Sequence, residues 1–282
     1  MKLNFNYLLV VILGIVFITS SLSAQRGGVR ELANPLVPAP KPSPIYVGPA
    51  FGLNLLGHSM DRTARPFTAG VPCPSFSNAA GLGIFGGLTL EYLFGEVETS
   101  SSSLIFRALF NMFPGSNTQE HSIYPQSDPQ GIPWDNQVEN ELRVNYNALT
   151  FEVMYKINPD PRLGFGFVVG PTFDLLFMSN EAERFNLIAP DHAQFDPDRF
   201  DPGMVFENNN RTAVIYDGEI LNAAAIRFGL KAGIQYEILL GSRMYVVPSL
   251  AYNFGITTLN SEYSWRVSPV QIGLDARFLL GF

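Results

Sequence analysis

Eight long runs of this chain alternate bulky apolar residues with small or polar ones at a period of two. That is the mark of a strand with two unlike faces. The fifth run is typical: Leu163, Phe165, Phe167, Val169, Pro171, Phe173, Leu175 and Phe177 share one face, and Gly164, Gly166, Val168, Gly170, Thr172 and Asp174 the other. The first begins at Ile45, with Val47, Phe51, Leu53 and Leu55 opposite Tyr46, Gly48, Ala50, Gly52 and Asn54. The last holds Ile272, Leu274, Ala276, Phe278, Leu280 and Phe282 opposite Gln271, Gly273, Asp275 and Arg277. A tilted strand needs about 9–11 residues to cross the hydrocarbon layer, and these runs are long enough.

Orientation decides the fold. The small face carries Glu91, Arg107, Glu152, Lys156, Asp174, Arg227, Lys231, Glu237, Asp275 and Arg277. A water-soluble barrel would turn the bulky face inward, but eight strands leave an interior only just wide enough for side chains. The small and charged face fits that lumen, where opposite charges can pair, and the bulky face then meets lipid. The expected fold is all-β: an eight-stranded antiparallel transmembrane up-and-down β-barrel with long extracellular loops and short periplasmic turns. The intervals between runs agree. Residues 57–78, 114–139, 179–221 and 257–269 are long, whereas 95–102, 158–162 and 241–242 are short, in strict alternation. Tyr46, Tyr92, Phe94, Tyr155, Tyr236 and Tyr245 gather near the short-turn end, as an interfacial girdle would. In the fourth run the apolar set changes parity, from Leu142, Val144 and Tyr146 to Leu149, Phe151 and Val153. One extra residue would produce this, so a bulge is expected near Ala148.

The N-terminus reads as an export signal. Lys2 precedes an apolar run from Leu8 to Ile18, too short to span as a helix, and small residues follow up to Ala24. Residues 25–44 are rich in proline and read as a periplasmic tail, leaving residues 45–282 for the barrel. The expected location is the outer membrane, with the mature N-terminus in the periplasm. Eighteen Lys and Arg against 25 Asp and Glu leave a net charge of −7, and a nucleic-acid partner is excluded on that balance. The single cysteine, Cys73, excludes an internal disulfide.

The stretch from Tyr146 through Tyr155-Lys156, a Pro turn and Gly164 to Pro171 resembles the fourth and fifth strands of the PorT-like outer-membrane β-barrel domain family, with Thr150 where the family has a central proline. Residues Phe228 to Tyr236 and Leu250 to Gly255 are similar to its next two strands. The resemblance covers roughly residues 45–282 and implies a barrel, with one branch of the family associated with secretion. It also implies that the terminal Phe282 is read by the outer-membrane assembly machinery. It supplies no functional site.

Chemistry is sparse. His58, with Ser59 and Asp61 beside it, His121, and His192 next to Asp191 all fall in expected outside loops, where a rim hydrolase of lipid or peptide bonds would place its base. Asp196, Asp198 and Asp201 are oxygen donors, but Arg199 lies among them and the spacing lacks a regular Ca²⁺ loop. No catalytic, cofactor-binding or metal residue is assigned. The expected role is a non-enzymatic integral barrel for anchoring or loop-mediated interaction, in contact with outer-membrane lipids. The loop 179–221, carrying Phe185, Phe195, Phe200 and Phe206, is the expected site for a protein partner. A rim hydrolase and a narrow channel or secretion-associated component are the alternatives.

Overall fold

The computed structural model describes residues 44–65, 75–95, 100–127, 133–160, 163–200, 203–240, 243–260 and 264–280. The signal segment, the tail up to residue 43, Cys73, Asp201, the 241–242 turn and Phe282 lie outside them. The strands are β1 (Ile45–Thr63), β2 (Ser75–Leu93), β3 (Ser102–Ser127), β4 (Pro133–Ile157), β5 (Phe165–Ala189), β6 (Val205–Glu207), β7 (Thr212–Glu219), β8 (Ile226–Tyr236), β9 (Ile238–Leu239), β10 (Met244–Gly255) and β11 (Arg266–Leu280). β1, β2, β3, β4, β5, β8, β10 and β11 pair in that order, all antiparallel, and β11 closes onto β1. The ring is an eight-stranded barrel without free edges, the form in which every backbone N–H and C=O is satisfied without water.

A belt around the ring turns apolar side chains outward. Phe51, Leu82, Ile84, Phe110, Phe151, Phe167, Phe228, Phe254 and Phe278 are all exposed, Leu82 at 60% and Phe167 at 50%. A soluble monomer rarely exposes more than a few hundred Å² of contiguous apolar surface, so this encircling band is a lipid-facing one. The barrel is of the outer-membrane type and its ring strands are transmembrane. Among the described residues no helix is long and apolar enough to cross a membrane.

The inward face of the belt is mostly small or polar, interrupted by two small apolar clusters, Ile105 with Met154 and Val168, and Leu109 with Ala50 and Phe85. Phe85 turns into the lumen, and its ring occupies space left by two glycines. A Cβ at Gly52 would lie 2.7 Å from the ring, and one at Gly273 would lie 3.0 Å away.

Beyond the belt, at the long-loop end, the expected loops are largely strand. β3 and β4 stay paired up to Ser127 and Pro133, and β5 continues to Ala189, pairing β7, which in turn pairs β6. There the two faces exchange character. Leu142, Val144 and Tyr146 on β4 are buried with Leu56, Met60, Phe76, Phe113, Trp265 and Val267, forming an apolar core inside the barrel mouth. Outside the lipid, water takes the outer face, and the apolar side chains turn in.

This exchange explains the parity change read in the fourth run and corrects its cause. The inward positions of β4 run unbroken from Leu142 to Lys156. The register shift does fall at Asn147/Ala148 against β5, but Ala148 pairs Leu176 while Asn147 pairs Met178, so the extra residue is Phe177 on β5. The girdle also needs correction. Tyr92, Phe94 and Tyr155 face outward, with ring centroids 5.7 and 6.2 Å apart. Tyr46 is buried, and its ring meets Tyr245 at 5.2 Å at the short-turn end of the lumen.

Candidate functional site

Three groupings of polar side chains stand out, and the strand parity places each. The first fills the lumen at belt height. It contains the ten charged residues expected there, five cations and five anions, all buried or nearly so. Their signs alternate along one chain of contacts. Glu237 and Glu91 both hold Lys156, Glu91 meets Arg277 at 2.5 Å, and Arg277 meets Asp275 at 2.7 Å. Asp275 meets Arg107 at 2.6 Å, Arg107 lies 3.8 Å from Glu152, and Glu152 holds Lys231. Above them Arg227 holds Asp174 through two nitrogens, at 2.9 and 2.7 Å, and donates to the Tyr146 hydroxyl at 3.0 Å. Asn54, Asn111, Gln271 and Thr150 fill the space between with mutual hydrogen bonds of 2.7–3.0 Å down to Asp174. A buried charge stripped of its partner costs about 3–5 kcal/mol, so the alternation holds the register of the ring.

The second grouping lies in the mouth above the belt. His58 was expected in a loop; it is on β1, its ring buried, and a Cβ on Gly115 would come within 2.7 Å of it. The Trp265 indole N–H donates to His58 Nδ1 at 3.2 Å, and Nε2 sits 3.2 Å from the Pro114 carbonyl. Both contacts are met by one neutral tautomer, with the proton on Nε2. Burial lowers the His58 pKa to about 4, the Pro114 carbonyl pulling it up and Arg227 pushing it further down. Ser59 and Asp61 face outward, so the three residues read together in the sequence lie on opposite faces. His121 falls on β3 and not in a loop, and His192, like Asp191, is exposed. Nearby, Arg62 reaches Glu181 at 2.7 Å and Glu183 at 2.9 Å, and Arg65 stacks 3.6 Å over the Tyr216 ring. Burial raises the Glu183 pKa against the opposing pull of Arg62 and Arg65.

The third grouping is the projecting flap of β4, β5, β7 and β6. The segment expected as a loop from 179 to 221 is ordered around its phenylalanines. Phe185 is buried, and Phe195 lies 6.0 Å from it, 6.0 Å from Phe200 and 5.8 Å from Phe206. With Val138, Leu187 and Ala213 they make a second small core on the inner face of the flap. These rings hold the segment together and are not a free binding surface. The Arg211 guanidinium clasps the turn, donating to the carbonyls of Leu187, Ile188, Pro190, Asp191 and Ala193. Asp196 accepts from the Asp198 N–H at 3.3 Å and caps a single 3₁₀ turn, Pro197–Arg199. Among the described residues no group of three His, Cys, Asp or Glu is placed to hold a metal.

The outer face of the flap is polar. Glu139, Glu141, Arg143, Arg184, Asn186, Glu207 and Arg211 line a groove of about 560 Å³ there. Sequence reasoning missed this surface. Glu139, Glu141 and Arg143 are on β4 and Arg184 and Asn186 on outward positions of β5, beside Glu207 of β6 and Arg211 of the following turn. Most of this wall falls in the segment read as a loop from 179 to 221.

No family model and no curated protein matches the chain. Among solved structures it is similar to Ail, the attachment invasion locus protein of Yersinia pestis, at 11% identity and a TM-score of 0.32, over 83% of this chain and 98% of that one. It is similar to the same protein in complex with the heparin analogue sucrose octasulfate at 8% identity and a TM-score of 0.31, over 83% and 99%. It is also similar to the outer membrane protease OmpT of Escherichia coli, at 9% identity and a TM-score of 0.31, over 87% and 99%.

Proposed function

We propose that this chain is a non-enzymatic integral outer-membrane barrel that carries the β4–β5–β7 flap at the cell surface and offers the flap's outer face to a partner. The long-strand end is extracellular in this reading and the short turns are periplasmic, with residues 1–24 acting as an export signal. The observation that carries it is the two-sidedness of the flap. One face is spent on a phenylalanine core, and the other is a polar groove with acids and arginines side by side. Arg184 there lies 3.4 Å from both Glu207 and Asp217, exposed pairs that contribute about 0–1 kcal/mol each and so can exchange partners readily. The use of both His58 nitrogens in structural contacts supports a non-enzymatic role. A place in the PorT-like family rests on the stretches from Tyr146 to Pro171 and Phe228 to Gly255.

The test has two arms. In a Cys73→Ser background, Gly203→Cys is labelled with a membrane-impermeant maleimide on intact cells; a Cβ at Gly203 meets nothing within 4 Å, so the substitution leaves the fold alone. Labelling is expected on intact cells, and labelling only after lysis refutes the sidedness. The purified barrel and its His58→Ala and His192→Ala variants are then assayed for lipid and peptide hydrolysis. Turnover by the parent that either variant abolishes would refute the non-enzymatic reading.

A further inference from the structure

The lumen has a small pocket at its short-turn end, far from the flap. Its volume of about 20 Å³ is room for a single water-sized group. Tyr46, Tyr245 and Leu93 line one side, and Glu237, Lys156 and Asn158 the other. Lys156 is engaged by Glu91 and Glu237, and the neighbouring Arg277 by Glu91 and Asp275. The pocket also has two acceptors. Glu237 is the most exposed of the ten lumen charges, its side chain at 9%. Asn158 is 2% exposed, and among the described residues its buried Oδ1 has no hydrogen-bond partner. A Cβ at Gly166 would lie 2.5 Å from that oxygen, so the glycine keeps its surroundings clear. A buried acceptor in a pocket of this size calls for a donor.

The chain carries one close by. Pro44 enters β1 at the rim, where its carbonyl accepts from the N–H of Leu93 at 2.8 Å. Before it the sequence sets Pro38, Pro40, Pro42 and Pro44 at every second position, with Lys41 among them. A residue that precedes proline is kept out of the helical region, so the run is extended, in the polyproline form that aromatic-lined grooves take up. The charge agrees, since residues 25–44 hold Arg26, Arg30 and Lys41 against Glu31 alone. So does the reach. Hydrogen bonds of Pro44 with Leu93, Phe94 with Ser102 and Ser101 with Asn158 step round the rim from β1 to the end of β4, about 14 Å along the wall at the usual strand spacing. At the polyproline rise Lys41 reaches about 9 Å from Pro44, and its four-carbon stem covers the remainder across the mouth. We propose that residues 41–43 fold back across the short-turn mouth and that Lys41 sets its ammonium in the pocket, donating to Asn158 Oδ1 and to Glu237, with Pro42 on the Tyr245 ring. The tail plugs the barrel at this end, as the core around Trp265 fills it at the other. The contact is made beside the tail's own point of entry, so it is independent of which end is extracellular.

Amine labelling tests this cleanly, because the other lysines are Lys2, in the segment read as an export signal, and Lys156 and Lys231, both buried in the lumen. The refolded chain from Gln25 onward is pulsed with a water-soluble N-hydroxysuccinimide ester, and acylation of Lys41 is read by mass spectrometry of its peptide. Lys41 is expected to react about tenfold more slowly in the folded barrel than in the same chain in urea. Asn158→Leu and Glu237→Gln are each expected to restore most of the lost reactivity. Asn186→Leu, on the flap, is expected to leave the protection intact. Compact migration before heating, with Lys156 and Lys231 still unlabelled, confirms that each variant is a closed barrel. Equal reactivity of Lys41 in the folded and unfolded chain overturns the proposal. So does protection that survives both pocket substitutions, which would place the cover in the detergent or elsewhere on the barrel, or protection lost in Asn186→Leu.

Discussion

His58 shows how far a residue's surroundings can depart from its neighbours in sequence. Read beside Ser59 and Asp61 it suggests a rim catalyst. Alternation on β1 sends it inward and them outward, and its partners, Trp265 and Pro114, lie 207 and 56 positions away. Nothing local in the sequence announces those contacts. The consequence is a dependence on pH. The folded chain keeps His58 neutral, with a pKa of about 4, whereas the unfolded chain takes up a proton below about 6.5. The unfolded state therefore binds more protons between those values. Stability is fully present above pH 6.5 and falls as the pH drops toward 4, by up to about 3 kcal/mol. Urea unfolding in detergent micelles at pH 7.5 and 4.5 should show this loss, and His58→Gln should lessen it while starting from a less stable barrel. An equal loss in both proteins would assign the effect to other groups.

At the scale of the element, β5 carries the device that joins two environments. Up to Leu175 its odd residues face lipid, and from Glu181 onward its odd residues face the inner core. The extra residue at Phe177 makes the exchange, so that Phe185 and Leu187 are buried and Arg184 and Asn186 are outside. β4 makes the same change of chemistry without a bulge, because its sequence moves the apolar residues from odd to even positions instead. The two solutions leave opposite traces. On β5 the apolar residues stay odd, from Phe165 to Phe177 and again at Phe185 and Leu187, so the bulge is silent there, whereas the parity breaks on β4, which is why the bulge was read on the wrong strand. Past Met178 the residues Ser179 to Arg184 are small or polar on both faces, so the fifth run looked finished there and the rest of β5, with β6 and β7, was read as loop. Deleting Phe177 should rotate everything beyond it by one position. Limited trypsin digestion is then expected to cut at Arg184 and Arg211 while the barrel still migrates as a compact species before heating. Phe177→Ala keeps the count and should remain protected. A deletion variant as resistant as the parent would show that the flap does not depend on the bulge.

Over the whole molecule the governing fact is that inside and outside exchange roles at the membrane surface. Within lipid the axis is polar and the wall greasy; above it the axis is greasy and the wall polar. The lower half was legible from the sequence, since ten lumen charges of both signs and the bulky outward set follow from alternation and from the narrowness of eight strands. The upper half was not, because its core joins Leu56, Phe76, Leu142, Leu259 and Trp265, residues brought together only by closure of the ring. The exchange makes one substitution opposite in effect at two heights. Val169 faces outward near the middle of the belt, and arginine there must enter hydrocarbon, which costs about 2–4 kcal/mol at the midplane. Thr118 also faces outward, on β3 beyond the belt, where arginine meets water and the change should stay within about 0.5 kcal/mol. Equilibrium unfolding of the two variants in lipid vesicles measures the difference. Val169→Arg should be markedly destabilised and Thr118→Arg close to the parent, and equal stabilities would mean that lipid does not end between those two heights.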